Sequence, residues 1–221
     1  SQAVLPSIDH AILRDILARQ VPNASVLWLV DRILASGAGV LSEEYAMVYF
    51  PDDDGDAERR TFAVNRPRGL PIGNLTSQFW ANCLLNPFDH FVKRELRCQA
   101  YDRYVDDLLL FAAAKSTLWD WRAAIVERLA TFRLTIHAGA QPRPVTEGIP
   151  FLGFVVYPTH RRVKSRKVAA YWRRWRALLA EYNDSEVTQE AVVASLLGWI
   201  NHARYGDTWG LRKAVARQAH F

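Results

Sequence analysis

Asp106 and Asp107 stand side by side in the run Ala100-Tyr101-Asp102-Arg103-Tyr104-Val105-Asp106-Asp107-Leu108-Leu109-Leu110-Phe111. Adjacent like charges repel, and desolvation by flanking apolar residues makes both worse. A cation would offset them. Hard carboxylate oxygens suit Mg²⁺, and two such ions can clamp the attacking and leaving oxygens of an in-line phosphoryl displacement. The same dipeptide also serves as a hydrated turn, because turns are rich in Asp. Its surroundings must decide between the two.

The elements that would position the pair can be read from period and punctuation. Strand-like Ala100 to Tyr104 and Leu108 to Phe111 flank a turn at Val105, Asp106 and Asp107. Before them a helix is predicted from Thr76 to Leu96, with Phe79, Leu84, Phe88, Phe91 and Val92 as apolar surface and Pro87 as a kink. Pro67, Gly69, Pro71 and Gly73 make residues 65–73 a loop. Upstream, Ser7 is expected to cap a helix burying Ile8, Ile12, Leu13, Ile16 and Leu17, and a second helix spans Ser25 to Leu34. Strands are expected at Leu41 to Phe50 and Thr61 to Val64, around an acidic loop at Asp52 to Asp56. That loop reads as a solvated turn, since the twelfth position of a calcium loop would be Ala63. Downstream, Leu118, Trp121, Ile125 and Leu129 share a helix face, strands follow at Arg133 to His137 and Phe151 to Tyr157, and helices are predicted at Val168 to Tyr182 and Thr188 to Arg204.

The chain has 221 residues, half of them apolar, which is enough for one large domain or two small ones. No apolar run is long enough to span a bilayer, so a cytoplasmic protein without a membrane partner is expected. Cys83 and Cys98 lack the spacing of a zinc site and read as packing residues. Charge is uneven: residues 1–60 hold five Arg against ten acids, while 61–221 hold 23 Lys and Arg against 13 acids. No acid occurs between Glu147 and Glu181, a gap containing Arg161, Arg162, Lys164, Arg166, Lys167, Arg173, Arg174 and Arg176. Such a stripe suits a nucleic-acid backbone, and it also fits a solvated helix face. Composition turns basic near Pro158, where the domain boundary is expected.

The stretch Arg68-Gly69-Leu70-Pro71-Ile72-Gly73-Asn74-Leu75-Thr76-Ser77-Gln78-Phe79-Trp80-Ala81-Asn82, followed by Tyr104-Val105-Asp106-Asp107, resembles motifs B and C of a reverse transcriptase. Pro6-Ser7-Ile8-Asp9-His10 resembles the tail of motif A, and Gly148 to Phe154 the junction of motifs D and E. Ser195 to Arg212 is similar to the thumb of enzymes from diversity-generating retroelements, and the form of motif B from Ile72 to Gln78 points to that class. The resemblance implies an α+β fold: a palm of antiparallel sheet backed by helices over residues 1–158, then a basic helical thumb over 159–221, with the fingers missing. It implies an RNA-directed DNA polymerase, bacterial or phage-encoded, with two Mg²⁺ ions (Mn²⁺ as a substitute in vitro) held by the catalytic Asp106 and Asp107. RNA template, DNA or RNA primer and dNTPs are its substrates, and an accessory variability determinant is its protein partner. Gly69, Pro71, Gly73, Ser77, Gln78 and Tyr104 would meet the nucleotide or template. Tyr104 itself reads as packing beneath the hairpin, while the family places it near the primer terminus. Arg161, Arg162, Lys164, Arg166 and Lys167 would meet the nucleic-acid backbone.

Three departures accompany the resemblance. The motif A metal-binding Asp would fall just ahead of Ser1, so the chain is expected to be an N-terminally truncated piece, inactive alone. Val4 and Leu5 stand where relatives carry aromatic residues. The Lys that relatives place after the position of His137 is absent, with Ala138, Gly139, Ala140 and Gln141 following instead, and Arg143 is the candidate to take over as the cation near the leaving pyrophosphate. Two rival readings share these motifs: a non-catalytic RNA-binding module using the basic segment, and an antiviral defence reverse transcriptase.

Overall fold

The computed structural model describes residues 4–37, 67–71, 74–137 and 139–217. The strands and acidic loop expected between Leu41 and Val64, and Gly73 of the glycine loop, lie outside the described residues. The chain is mixed α+β and divides into two compact units, Ser1–Pro142 and Arg143–Phe221. The division falls ahead of Pro158. A small sheet occupies the start of the second unit, so the strands near Phe151 belong with the basic helices.

In the first unit, α1 (Val4–Ser7) leads into α2 (His10–Gln20) and α3 (Ala24–Gly37). The cap of α2 is Asp9, in place of the expected Ser7: its Oδ1 accepts from the Ala11 N–H at 2.9 Å and the Ile12 N–H at 3.1 Å. Ser7 closes α1 instead. Next comes α4 (Leu75–His90), extended by a π-helical turn at Phe91–Glu95 in which the Leu96 N–H reaches the Phe91 carbonyl. Its buried side chains Trp80, Leu84, Leu85 and Phe88 recur at helical spacing and pack with Leu13, Leu17, Val30 and Leu34 into one core. The strands β1 (Ala100–Tyr104) and β2 (Asp107–Phe111) form an antiparallel hairpin, and α5 (Lys115–Ala130) adds Ile125 and Leu129 to the core. The strand expected at Arg133 to His137 is absent: Leu134 is buried and Ile136 packs on the core, but no described strand pairs with them.

Both cysteines are free and buried, and burial pushes each thiol above its ordinary pKa. Neither thiolate nor access is then provided for alkylation. Iodoacetamide at pH 8 should leave Cys83 and Cys98 unmodified in the folded chain and modify both in urea, as read by intact mass. Rapid labelling without denaturant would contradict the packing.

In the second unit the expected single strand from Phe151 to Tyr157 is two strands, β3 (Ile149–Phe151) and β4 (Phe154–Val156). Leu152 and Gly153 form the turn between them with φ of 44° and 90°, the two positive values of a type I′ hairpin turn. A third strand, β5 (Arg161–Val163), completes the sheet in the order β3-β4-β5. Helices α6 (Ser165–Asn183), α7 (Gln189–Ala203) and α8 (Trp209–Ala216) follow. Their core is Tyr171, Trp175, Val192, Trp199, Ala203 and Val215.

Candidate functional site and basic face

Strand alternation sorts the hairpin into two faces. Tyr101, Leu108 and Leu110 pack on the core, and Arg103, paired across the ladder with Leu108, belongs to the same face. Asp102, Tyr104 and Asp107 belong to the other face, and all three are exposed. Tyr104 is 58% exposed and does not pack beneath the hairpin. Asp107 pairs with Tyr104 as the first residue of β2, so the connection is the two residues Val105 and Asp106.

Val105 has φ of 57°. A β-branched residue is disfavoured in the left-handed region, where a conformation of this kind costs of the order of 1–3 kcal/mol. The strain is held by partners. Arg103 Nη1 donates to the Val105 carbonyl at 3.1 Å and to Asn82 Oδ1 at 3.0 Å, while Nε and Nη2 donate to the two Asp89 oxygens at 2.8 and 2.6 Å. Tyr101 donates its hydroxyl proton to Asp89 Oδ1 at 2.6 Å. Burial, then this bond to a carboxylate, keeps the phenol protonated far above its ordinary pKa, and the pairing with Asp89 raises that of Arg103 further. Asp89, Tyr101 and Arg103 were not singled out from sequence. Their only signal there was polar residues on otherwise core-facing positions.

Asn82 and Asp89 follow Gln78 by four and eleven residues, which brings all three within a narrow arc of one α4 face. The hairpin is thus tied to the face that carries Gln78, one turn from Asn82. Gln78 is exposed there, whereas Ser77 is 1% exposed and faces the core beside Trp80 and Leu84. Helix phase therefore removes Ser77 from the residues that can meet a ligand.

The carboxylates of Asp9, Asp31 and Asp89 each pair with an arginine. Asp106, half-buried, and Asp107, exposed, pair with none among the described residues, although Arg103 is three residues from one and four from the other. Two free carboxylates match Mg²⁺, which takes one or two carboxylates and completes its octahedron with water and substrate phosphates. The described residues contain no group of three or more His, Cys, Asp or Glu placed to hold a metal. Asp9 is no third ligand: it is 2% exposed, caps α2, and accepts from Arg133 Nη1 at 2.7 Å.

The glycine loop is fastened to the start of α2. Asp9 and Arg68 form an antiparallel bridge, the Gly69 N–H donates to the Ile8 carbonyl at 2.8 Å, and the Leu70 N–H donates to the Leu5 carbonyl at 2.9 Å. His10 Nε2 lies 2.7 Å from the Gly69 carbonyl, as donor in the tautomer that bond requires. Gly69 has φ of 91°, which explains glycine at this position. Pro71 is half-buried beside it.

The C-terminal unit carries the cations. Arg161, Arg162, Arg166, Lys167, Arg173, Arg174 and Arg176 are exposed and Lys164 half-buried, and none is ion-paired among the described residues. Arg161 and Arg162 lie on β5, and Lys164, Arg166 and Lys167 surround the first turn of α6. The Lys164 N–H donates to the Gly153 carbonyl at 3.1 Å. A Cβ on Gly153 would stand 2.8 Å from Lys167 Nζ, so the ammonium lies close against that turn. Arg143 is exposed at the start of this unit.

No helix among the described residues is long and apolar enough to cross a membrane. Compared with models of known protein families and with curated proteins, the chain matches none.

Proposed function

We propose that the chain is the palm and thumb portion of an RNA-directed DNA polymerase resembling those of diversity-generating retroelements. The observation that carries this reading is the strained Tyr104–Asp107 turn, whose two unpaired carboxylates are tethered to the helix face bearing Gln78. Asp106 and Asp107 would hold Mg²⁺, which when bound would supply charge neutralisation at the phosphates of a dNTP during attack by the primer 3′-hydroxyl on the α-phosphate, with pyrophosphate leaving. Gln78 lines the nascent base pair, whereas Gly69, buried with its N–H on the Ile8 carbonyl and its own carbonyl on His10, fastens the loop and is not available to a ligand. Tyr104, exposed beside Asp107, borders the primer terminus. The cations of β5 and α6 hold the nucleic-acid backbone by displacing condensed counterions.

Primer extension tests this reading, using the full-length protein, a primed RNA template, dNTPs and Mg²⁺. The expected result is templated DNA synthesis that stops when the divalent ion is chelated. Retained RNA binding without extension would favour a non-catalytic RNA-binding module, for which the unpaired cations alone would suffice.

A further inference from the structure

We infer that Arg103 is a positioning residue for the Asp106–Asp107 pair: its guanidinium holds the strained turn in the conformation that presents the carboxylates and fixes that turn to α4. The inference rests on the proposed role of the two aspartates as cation ligands.

Four of the five guanidinium N–H donors are engaged, and they divide into two functions. Nε and Nη2 form a fork on Asp89, which anchors the side chain. Nη1 bridges Asn82 Oδ1 and the Val105 carbonyl. The Val105 carbonyl belongs to the peptide that enters Asp106, so its orientation sets the direction in which that residue leaves the turn. With φ of 57° at Val105, the turn is not one a β-branched residue adopts by preference, and an outside partner must favour it. The anchor is itself ordered, because Tyr101 donates to Asp89 from the same strand face.

The chemistry of the side chain discriminates this role from simple neutralisation of Asp89. A lysine would satisfy the charge, but its single ammonium lacks the planar fork and cannot reach the helix carboxylate and the turn carbonyl together. Arginine is required only if Nη1 matters. Arg103 is also committed away from Asp106 and Asp107, so it orients them without competing for the cation they are proposed to bind.

The test is Arg103→Lys and Asn82→Ala in the full-length protein, with Asp106→Asn as reference, measuring kcat, dNTP KM, half-saturating Mg²⁺ and thermal unfolding. For folded Arg103→Lys the expected result is a fall in kcat of about 10- to 100-fold, the scale of ångström-level misplacement, with KM within about threefold. Half-saturating Mg²⁺ should rise severalfold, and Asn82→Ala should shift it the same way by less. A purely structural salt bridge would move the unfolding temperature and leave the Mg²⁺ requirement alone. Unchanged kcat and Mg²⁺ requirement in Arg103→Lys, with Asp106→Asn inactive, would overturn the positioning role and leave the polymerase reading intact. Extension by Asp106→Asn would overturn the polymerase reading itself. If Arg103→Lys does not fold, Asn82→Ala decides, because it keeps the Asp89 fork and removes only an exposed partner of Nη1.

Discussion

Asp106→Asn is expected to lower primer extension by roughly a thousandfold or more while RNA affinity stays within about twofold. The magnitude follows from the charge that is lost. A metal-bound transition state gains several kcal/mol from neutralised phosphate oxygens, and each factor of ten in rate corresponds to about 1.4 kcal/mol. An amide keeps the shape of the carboxylate but is a neutral and weaker ligand for a hard divalent ion. Fold stability should change little, because Asp106 makes no ion pair among the described residues and the turn is held through Arg103 and the Val105 carbonyl. RNA affinity should persist because the unpaired cations belong to a different compact unit. The checks are single-turnover extension and filter binding on the same preparation. Undiminished extension would remove the metal role from Asp106 and, with it, the central reason for the polymerase reading.

How much of this site was legible depended on how local its determinants are. The hairpin could be read because alternation and an acidic turn lie within twelve consecutive residues, and the observed strands differ only in that Asp107 joins β2. The cap of α2 could not. Ser7 and Asp9 are both good caps by type, and Asp9 is selected by Arg133 and by the bridge to Arg68, partners 124 and 59 residues away. The strand expected at Arg133 to His137 did not form: Leu134 and Ile136 reach the core, but a strand also needs a neighbour for its N–H and C=O groups, which no local pattern supplies. The apolar run Phe151 to Tyr157 conceals a hairpin because its turn is only two residues long, Leu152 and Gly153, and an apolar Leu at the first turn position continues the strand pattern while Gly153 supplies the φ of 90°. Ser77 and Gln78 are neighbours in the motif, yet helix phase sends one inward and the other outward. The Asp89–Arg103 link joins a helix to a strand fourteen residues on, and charge alone gives no reason to pair those two.

Trp175→Ala is expected to destabilise the C-terminal unit by about 3–5 kcal/mol, the usual cost of truncating a large buried aromatic. Trp175 is fully buried, near-parallel to Tyr171 at a centroid distance of 6.0 Å, and Tyr171 in turn stacks on Trp199 at 4.5 Å. That row of three rings joins α6 to α7, so its removal leaves a cavity that backbone shifts alone cannot close. Trp175→Phe gives the informative contrast. Trp175 Nε1 is buried without a hydrogen-bond partner among the described residues, so the phenyl ring loses volume but also discards an unsatisfied donor. Its cost should stay below about 2 kcal/mol. Urea unfolding followed by circular dichroism gives the energies, and amide exchange over α6 and α7 locates them. A cost under about 1 kcal/mol for the alanine variant would mean the ring row does not hold the C-terminal unit together. The consequence reaches the basic face, because Arg166 and Lys167 lie in the first turn of α6 and their spacing depends on that helix being held. In conditions where Trp175→Ala loosens α6, RNA affinity should fall and its salt dependence should flatten, since fewer phosphates are neutralised at once.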